Sequence, residues 1–346
     1  MSKTKKIKVA INGAGRIGRS FIRAALERED LEIVAVNDLG DIENIAYLLK
    51  YDTVYGKSKF EVEIGERQEH LSLDGQKILF FSQKDPLQLP WKELDIDVVV
   101  ESTGVFTKFE TAKVHLEAGA KRVVITAPAK DEPSNESQAT VLMGINDEKL
   151  KTCNITSNAS CTTNAGSPVI QILNEMIGIE KALLSTVHGY TASQSVVDSP
   201  NSKKFRLGRA AAQNIIPTST GAATATTKAI PELEGKFDGI ALRVPVPAGS
   251  IADITFIAKR NTSVEEVNEI LEKAAKEERW KGIFGITKEP LVSSDILGSP
   301  YGSIADLDLT RVVDGNLVKV LAWYDNEMGY VHTLIEHVVK LGQYIK

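Results

Sequence analysis

The chain has 346 residues, 42 % of them hydrophobic and 25 % charged, and its formal net charge at pH 7 is −5. That length predicts two domains with apolar material for two cores, and the acidic balance leaves no broad basic face for nucleic acid. Two cysteines, Cys153 and Cys161, are too few for a disulfide framework, and with five scattered histidines they show no metal-ligand spacing.

The first six residues, Met1 to Lys6, are basic but run into only a short apolar strand, without the apolar core of a signal peptide. No apolar run is long enough to span a bilayer, so a reducing, cytoplasmic setting is expected. Ile7–Asn12 (IKVAIN) reads as a buried strand. The turn Gly13-Ala14-Gly15-Arg16-Ile17-Gly18 follows at once, and residues 19–28 read as a helix with Ile17, Phe21, Ile22, Ala25 and Leu26 inward. A second strand, Leu31–Asn37, ends at Asp38, 20 residues beyond the third glycine (38 − 18).

Strand, glycine turn, helix, strand and acid together make a dinucleotide fingerprint; the glycine pattern alone would be weak. Gly13 permits the tight turn, Gly15 lets a pyrophosphate reach the backbone, and Gly18 lets helix and strand pack closely. The helix N-terminus holds the phosphates. Asp38 takes ribose hydroxyls and repels a 2′-phosphate, which favours NAD over NADP. Arg16 and Ile17 contact the cofactor by their place in the turn, with core packing the alternative for Ile17.

Residues 60–81 alternate and contain Asp74-Gly75, a hairpin signal. Residues 97–101 (DVVVE) form another buried strand, leading into Ser102-Thr103-Gly104 at the end where open α/β sheets bind ligands. A helix is expected at 107–117 and a strand at 122–126; 130–138 reads as an exposed polar loop without assigned function. Residues 141–144 and 154–157 close the first sheet.

The run SNASCTTN at 157–164 follows. Ser160 is a good N-cap, so Cys161 falls in the first turn of a helix continued by Val169, Ile170, Ile172, Leu173 and Met176. Free N–H groups and the dipole there favour a thiolate, so the thiol pKa is expected to fall. The bland alternative, a small buried cysteine, leaves the surrounding Ser, Thr, Thr and Asn unexplained. Residues 183–188 (LLSTVH) read as a strand ending in His188, 27 residues beyond Cys161 (188 − 161). That spacing lets a helix run out and a strand return, making His188 a candidate base or imidazolium partner.

Residues 193–213 are polar and basic, with Lys203, Lys204, Arg206 and Arg209, and a loop of that length is usually functional rather than a mere surface excursion. In IIPTSTGAA (215–223), Thr218, Ser219, Thr220 and the Gly221 amide precede a helix from Ala222, either a second anion cradle or an ordinary helix start. Residues 239–246, carrying Arg243, and 251–259 read as strands of a mainly antiparallel sheet. Ser263 and Glu266 form a capping box for a helix over 264–277. A last strand at 318–323 and an amphipathic helix at 330–341 end the pattern.

Taken together, INGAGRIGR, ESTGVF, SNASCTTN, TVHGYT, NIIPTSTGAA, RVPVP and WYDNEMGY resemble phosphorylating glyceraldehyde-3-phosphate dehydrogenase from end to end, SNASCTTN and WYDNE most specifically. The resemblance implies an α/β protein: a Rossmann-type parallel-sheet domain over 1–159, with a C-terminal helix at 327–346 packing back onto it, and an α+β catalytic domain over 160–326 with a mainly antiparallel mixed sheet. It also implies a homotetramer in which 193–213 reaches a neighbouring subunit's cofactor.

For the chemistry, the resemblance implies that Cys161 attacks the aldehyde of glyceraldehyde 3-phosphate to give a hemithioacetal. His188 lowers the thiol pKa and accepts the hydroxyl proton, hydride passes to NAD, and inorganic phosphate releases 1,3-bisphosphoglycerate from the thioester. Thr191 and Arg243 are implied for the substrate phosphate, and Ser160, Thr162, Arg206, Thr220 and Gly221 for the attacking phosphate. Arg16, Ile17, Asp38, Lys84, Thr126 and Asn326 join the three glycines at the cofactor, with Lys84 standing where many relatives have arginine. Ala165 replaces the second cysteine of relatives, so their intrachain disulfide is not expected. Pro200 leans towards NAD.

Erythrose-4-phosphate dehydrogenase shares the fold and the Cys–His pair, but TSTGAA argues for the glyceraldehyde enzyme. Aspartate-semialdehyde dehydrogenase has no need of two phosphate sites. A non-catalytic NAD-binding regulator is the rival of another class, which an intact Cys161 and His188 oppose.

Overall fold

The computed structural model describes residues 6–202 and 204–345; the basic stretch 1–5 and Lys203 of the long polar segment lie outside the described residues. The chain divides into two compact units: one runs to Ala159 and resumes at Leu334, and the other is Ser160–Thr333.

The first unit is built on β1 (Ile7–Asn12), in which Val9, Ala10 and Ile11 are fully enclosed. An apolar run of this kind marks a parallel strand covered on both faces. Helix α1 (Arg16–Ala25) begins three residues before the predicted start (19 − 16), because the glycine turn itself supplies its first turn and Gly15 its N-cap. Ile17 is half-buried rather than core. After β2 (Leu31–Asn37) comes α2 (Ile42–Lys50), capped by the Asp41 carboxylate on Glu43 N–H, and a small ribbon of β3 (Tyr51–Asp52) and β4 (Gly56–Lys57). Next are β5 (Val62–Ile64), β6 (His70–Leu73) and β7 (Gln76–Phe81). Asp74 and Gly75 both take positive φ (49° and 79°), as a tight hairpin turn requires.

Beyond β8 (Val98–Glu101) the single helix expected at 107–117 is two short ones, α3 (Phe109–Ala112) and α4 (Val114–Glu117). The chain tightens at Lys113, whose carbonyl takes Leu116 N–H in a three-residue step. Strand β9 (Arg122–Ile125) leads to β10 (Gln138–Thr140) and β11 (Ile155–Ser157). The edge strand expected at 141–144 is a correction: those residues form a turn, in which Asn146 Oδ1 accepts Leu142 N–H at 2.8 Å. The true strand, β10, buries Gln138 and Thr140, and the Gln138 amide oxygen accepts the Ser134 N–H and hydroxyl, so no apolar pattern marks it.

The sheet order is β10-β11-β9-β8-β1-β2-β7-β6-β5, parallel except for the hairpin strands β7-β6-β5. Chain direction across the sheet reverses between β1 and β8, so their carboxyl ends flank the crevice where such sheets bind ligands.

The second unit opens with α5 (Cys161–Met176), followed by β12 (Ile179–Gly189), β13 (Ile216–Ser219), α6 (Ala222–Ala229), β14 (Phe237–Val244) and β15 (Ser250–Ala258). Helix α7 (Val264–Ala274) is capped by Ser263 Oγ on Glu266 N–H at 3.2 Å. The Glu266 carboxylate turns instead to Arg260 and Thr262, so only half of the expected capping box forms. Strands β16 (Phe284–Thr287) and β17 (Ser303–Val313) were not expected; β18 (Leu317–Tyr324) was.

The second sheet has the order β13-β14-β12-β15-β18-β17-β16, with β12/β14 and β16/β17 parallel and the rest antiparallel. Strict alternation of buried and half-buried residues along β15 gives one face covered by helices. Helix α8 (Met328–Gln343) starts in this unit and joins the first from Leu334 onward, where Lys340 pairs with Asp147 at 2.6 Å. Among the described residues no helix is long and apolar enough to cross a membrane.

Candidate active site

Ser160 holds extended backbone (φ −114°, ψ 166°) and its Oγ accepts Thr163 N–H at 3.1 Å, which starts α5 on Cys161. Helix α5 packs on the sheet through Val169, Ile170 and Leu173, all fully buried, and the helix runs through Pro168. Strand β12 then returns along the sheet. Its period of two buries Ala182, Leu184, Thr186 and His188 on the helix-covered face. Cys161 Sγ thereby lies 3.4 Å from His188 Nε2.

Arg243 enters from β14, which pairs with β12 so that Arg243 stands directly opposite His188. Its Nη1 is 2.6 Å from His188 Nδ1 and donates to Gly189 O at 3.1 Å; the same Nδ1 lies 2.6 Å from Gly189 O. A guanidinium only donates, so two arrangements are open to the ring. With Nδ1 bare it accepts from Arg243 and Nε2 carries the proton. With Nδ1 protonated it donates to Gly189 O and Nε2 faces the sulfur bare, which requires the Arg243 guanidinium to turn away from Nδ1, since two donors cannot bond each other.

Burial, reinforced by Arg243, lowers the His188 pKa to about 3, against the Gly189 carbonyl, which favours the cation. The Cys161 thiol is pushed up, not down as the helix-start argument predicts. Although the residue keeps some exposed surface, burial of the sulfur outweighs the opposing pull of Arg243 and of hydrogen bonds from Thr162 and the helix-start amides.

Tyr324, at the end of β18, escaped the sequence reading as a site residue although it lies within the WYDNE stretch. Its hydroxyl is 2.9 Å from Thr162 Oγ1 and 2.6 Å from Thr186 Oγ1, and its ring meets the His188 ring edge-on at 5.9 Å. Burial and the neighbouring Cys161 push the phenol up, so it stays a neutral hydrogen-bonding post. Asn326 is buried two residues on, its Oδ1 accepting Gly249 N–H at 3.1 Å and Ser250 Oγ–H at 2.9 Å.

The remaining anion candidates are less tightly gathered. Thr191 is half-buried three residues past His188, its hydroxyl 2.9 Å from Ser193 Oγ. Arg206 is exposed on a short turn of the 193–213 segment, Thr220 is half-buried, and Gly221 begins α6 with no side-chain cap. Among the described residues no hydrogen bond joins Arg206, Thr220 or Gly221 to Cys161 or His188.

In the first unit the three glycines behave as their spacing predicts. Gly13 has φ +102°, and a Cβ there would stand 2.6 Å from Thr103 N; a Cβ on Gly18 would stand 2.1 Å from Gly13 O. Gly15 has open space beside it, and α1 has no side-chain cap. An uncapped helix end beside bare backbone fits a pyrophosphate. Asp38 accepts Ala14 N–H at 2.6 Å and Gly40 N–H at 2.7 Å, tying the glycine turn to the end of β2. Arg16 pairs with Asp52, Thr126 Oγ1 donates to Glu101 O at 3.1 Å, and Lys84 is exposed after β7.

A doubly wound parallel sheet with such a turn, in one chain with a thiol–imidazole unit, is the architecture of a dinucleotide-dependent oxidoreductase. Two family models match: "Glyceraldehyde 3-phosphate dehydrogenase, NAD binding domain" over residues 7–109 and "Glyceraldehyde 3-phosphate dehydrogenase, C-terminal domain" over residues 160–326. The glyceraldehyde-3-phosphate dehydrogenase of Streptomyces coelicolor is 48 % identical over 339 residues, 97 % of this chain and 98 % of the relative. That of Geobacillus stearothermophilus is 48 % identical over 341 residues, and glyceraldehyde-3-phosphate dehydrogenase 1 of Bacillus subtilis 46 % over 341, each covering 98 % of both chains. The chain belongs to the glyceraldehyde-3-phosphate dehydrogenase family.

Proposed function

We infer that the protein oxidises glyceraldehyde 3-phosphate with NAD and inorganic phosphate to 1,3-bisphosphoglycerate, and that Cys161 and His188 carry the chemistry. The observation behind the residue assignment is the 3.4 Å approach of Sγ to Nε2. Burial favours the neutral form of both groups, so in this reading the proton moves as the bond forms. Once Arg243 turns from the ring to the substrate phosphate, Nδ1–H is given to Gly189 O, and bare Nε2 takes the thiol proton while sulfur attacks the aldehyde carbon. The imidazolium returns that proton to the new oxyanion, giving the hemithioacetal hydroxyl. Nε2 takes it back as the C–H bond gives up its hydride and the carbonyl re-forms as a thioester. NAD, when bound, supplies the acceptor for that hydride. Phosphate oxygen then adds to the thioester carbon, and the Cys161 thiolate leaves.

Two anion sites follow from the same reading. Arg243 and Thr191 hold the substrate phosphate, supported by the buried Arg243 Nε, which has no partner among the described residues. Ser160, Thr162, Arg206, Thr220 and Gly221 receive the attacking phosphate, supported by two helix starts, α5 and α6. Gly13, Gly15, Arg16, Ile17, Gly18, Asp38, Lys84, Thr126 and Asn326 serve the cofactor. A cytoplasmic homotetramer belongs to this reading too: Val196, Val197, Phe205 and Ile215, on and beside the 193–213 segment, are 82 %, 71 %, 83 % and 68 % exposed, as residues awaiting a neighbour would be. Light-scattering mass tests the assembly.

NADH formation from glyceraldehyde 3-phosphate is expected to require phosphate and to exceed that from erythrose 4-phosphate in kcat/KM. Cys161→Ser should abolish turnover and leave NAD binding intact; turnover surviving in that variant would remove Cys161 as the nucleophile.

A further inference from the structure

Beneath the crevice between β1 and β8 lies a set of buried polar side chains that the chemistry above does not use. Glu101 closes β8 and Asn12 closes β1, at 2 % and 1 % exposure, while His115 on α4 and Trp91 are wholly enclosed. Direction is set at one end. The Trp91 indole N–H only donates, and it lies 3.2 Å from His115 Nδ1. Nδ1 therefore accepts, Nε2 carries the proton, and Nε2–H donates to Glu101 Oε2 at 2.9 Å. Asn12 Nδ2 donates to the same oxygen at 2.6 Å. Asn12 Oδ1 accepts from Asn37 Nδ2 at 2.7 Å, and Asn37 Oδ1 accepts Gln83 N–H at 2.8 Å. One run of bonds ties together the carboxyl ends of β8, β1 and β2 and the segment after β7.

The other carboxylate oxygen faces outward. Oε1 accepts the Thr103 backbone N–H at 2.9 Å and the Thr103 hydroxyl, which in turn accepts Val105 N–H at 3.0 Å. Thr103 is exposed, so a carboxylate inside the sheet holds a loop at the surface. That loop lies against the glycine turn: Ser102 Oγ donates to Gly13 O at 2.7 Å, and the Gly13 backbone leaves no room for a Cβ beside Thr103 N. Packing alone does not call for an acid here, since Ile125 stands opposite Glu101 on β9 and is simply apolar. Burying so polar a side chain costs free energy that its hydrogen bonds to Asn12, His115 and Thr103 must offset, which makes Glu101 dependent on all three.

We propose that Glu101, backed by His115 and Asn12, is a positioning residue for the dinucleotide. It fixes the Thr103 loop against the Gly13 turn, so that the crevice keeps the shape needed by the part of NAD beyond adenosine. The proposal rests on the NAD-binding reading of this unit. Glu101→Gln sets an amide N–H₂ against some of the four donors and leaves at least one without an acceptor. NAD binding by calorimetry, adenosine binding by ligand-observed NMR and Tm are measured on the full chain. The dissociation constant for NAD should rise about ten-fold, while that for adenosine changes less than about two-fold on the same scale. Thr103→Val, a surface change that removes only the hydroxyl, should weaken NAD in the same direction. Equal loss for both ligands, or unchanged NAD affinity with or without a lower Tm, overturns the proposal. A wild-type chain that fails to bind NAD sinks the cofactor reading instead.

Discussion

Burial favours the neutral form of both Cys161 and His188 before any substrate arrives. A helix start favours a nearby anion by roughly 0.3–1 kcal/mol, but burial of the sulfur, the largest influence on the thiol, acts the other way. Alkylation of Cys161 by iodoacetamide should therefore keep accelerating with pH past the ordinary thiol range. Arg243 is the largest opposing influence on the thiol, so Arg243→Leu should move the midpoint higher still. Cys153, 1 % exposed, serves as the unreactive control. A midpoint well below the ordinary thiol value in the wild-type protein would contradict this account. The thiol and its imidazole were legible in the sequence, because SNASCTTN and a returning strand are local patterns. The direction of the thiol's pKa was not, because it depends on everything packed around the sulfur.

Helix α5 sets the thiol's position, and Ser160 sets where α5 begins. Its Oγ satisfies Thr163 N–H, and its carbonyl accepts Asn164 Nδ2 at 3.0 Å. Ser160→Ala should lower unfolding free energy by about 1 kcal/mol, and Ser160→Gly by only a few tenths on the same scale. Urea midpoints at constant m-value check this, and equal losses for both variants would argue against the cap. Proline inside a helix costs about 3 kcal/mol; α5 tolerates Pro168 because the helix is held by tertiary packing rather than by propensity. Elements defined by apolar period, such as β1, β2 and β15, were readable in advance. Strands β10 and β17 were not: buried polar residues interrupt their apolar pattern, among them Asp306, which accepts Trp323 Nε1–H at 2.9 Å.

Acid sensitivity belongs to the whole molecule. Burial lowers both His188 and His337 to about 3, against about 6.5 in an unfolded chain. Between those values the unfolded state binds protons that the folded state refuses, so stability is fully present above about pH 6.5 and declines as the pH falls towards 3. His337 sits between Thr156 Oγ1 at 2.7 Å and Asn158 Oδ1 at 3.1 Å. His337→Gln should lower stability at pH 8 yet flatten the loss between about pH 6.5 and 5, since one of the two refused protons is gone. Urea midpoints at both ends of that range decide it, and an undiminished slope in the variant would show that other groups dominate.

The amino-acid order by itself determined the glycine turn, the acid at the end of β2, the start of α5 on Cys161 and the alternating strands. Each depends on residues a few positions apart, through φ, capping or period. Only the tertiary structure decided that Arg243 faces His188 across two parallel strands, that Tyr324 posts between two threonines, and that burial pushes the thiol pKa up. Cross-strand register and burial are sums over the whole fold, and no stretch of chain contains them.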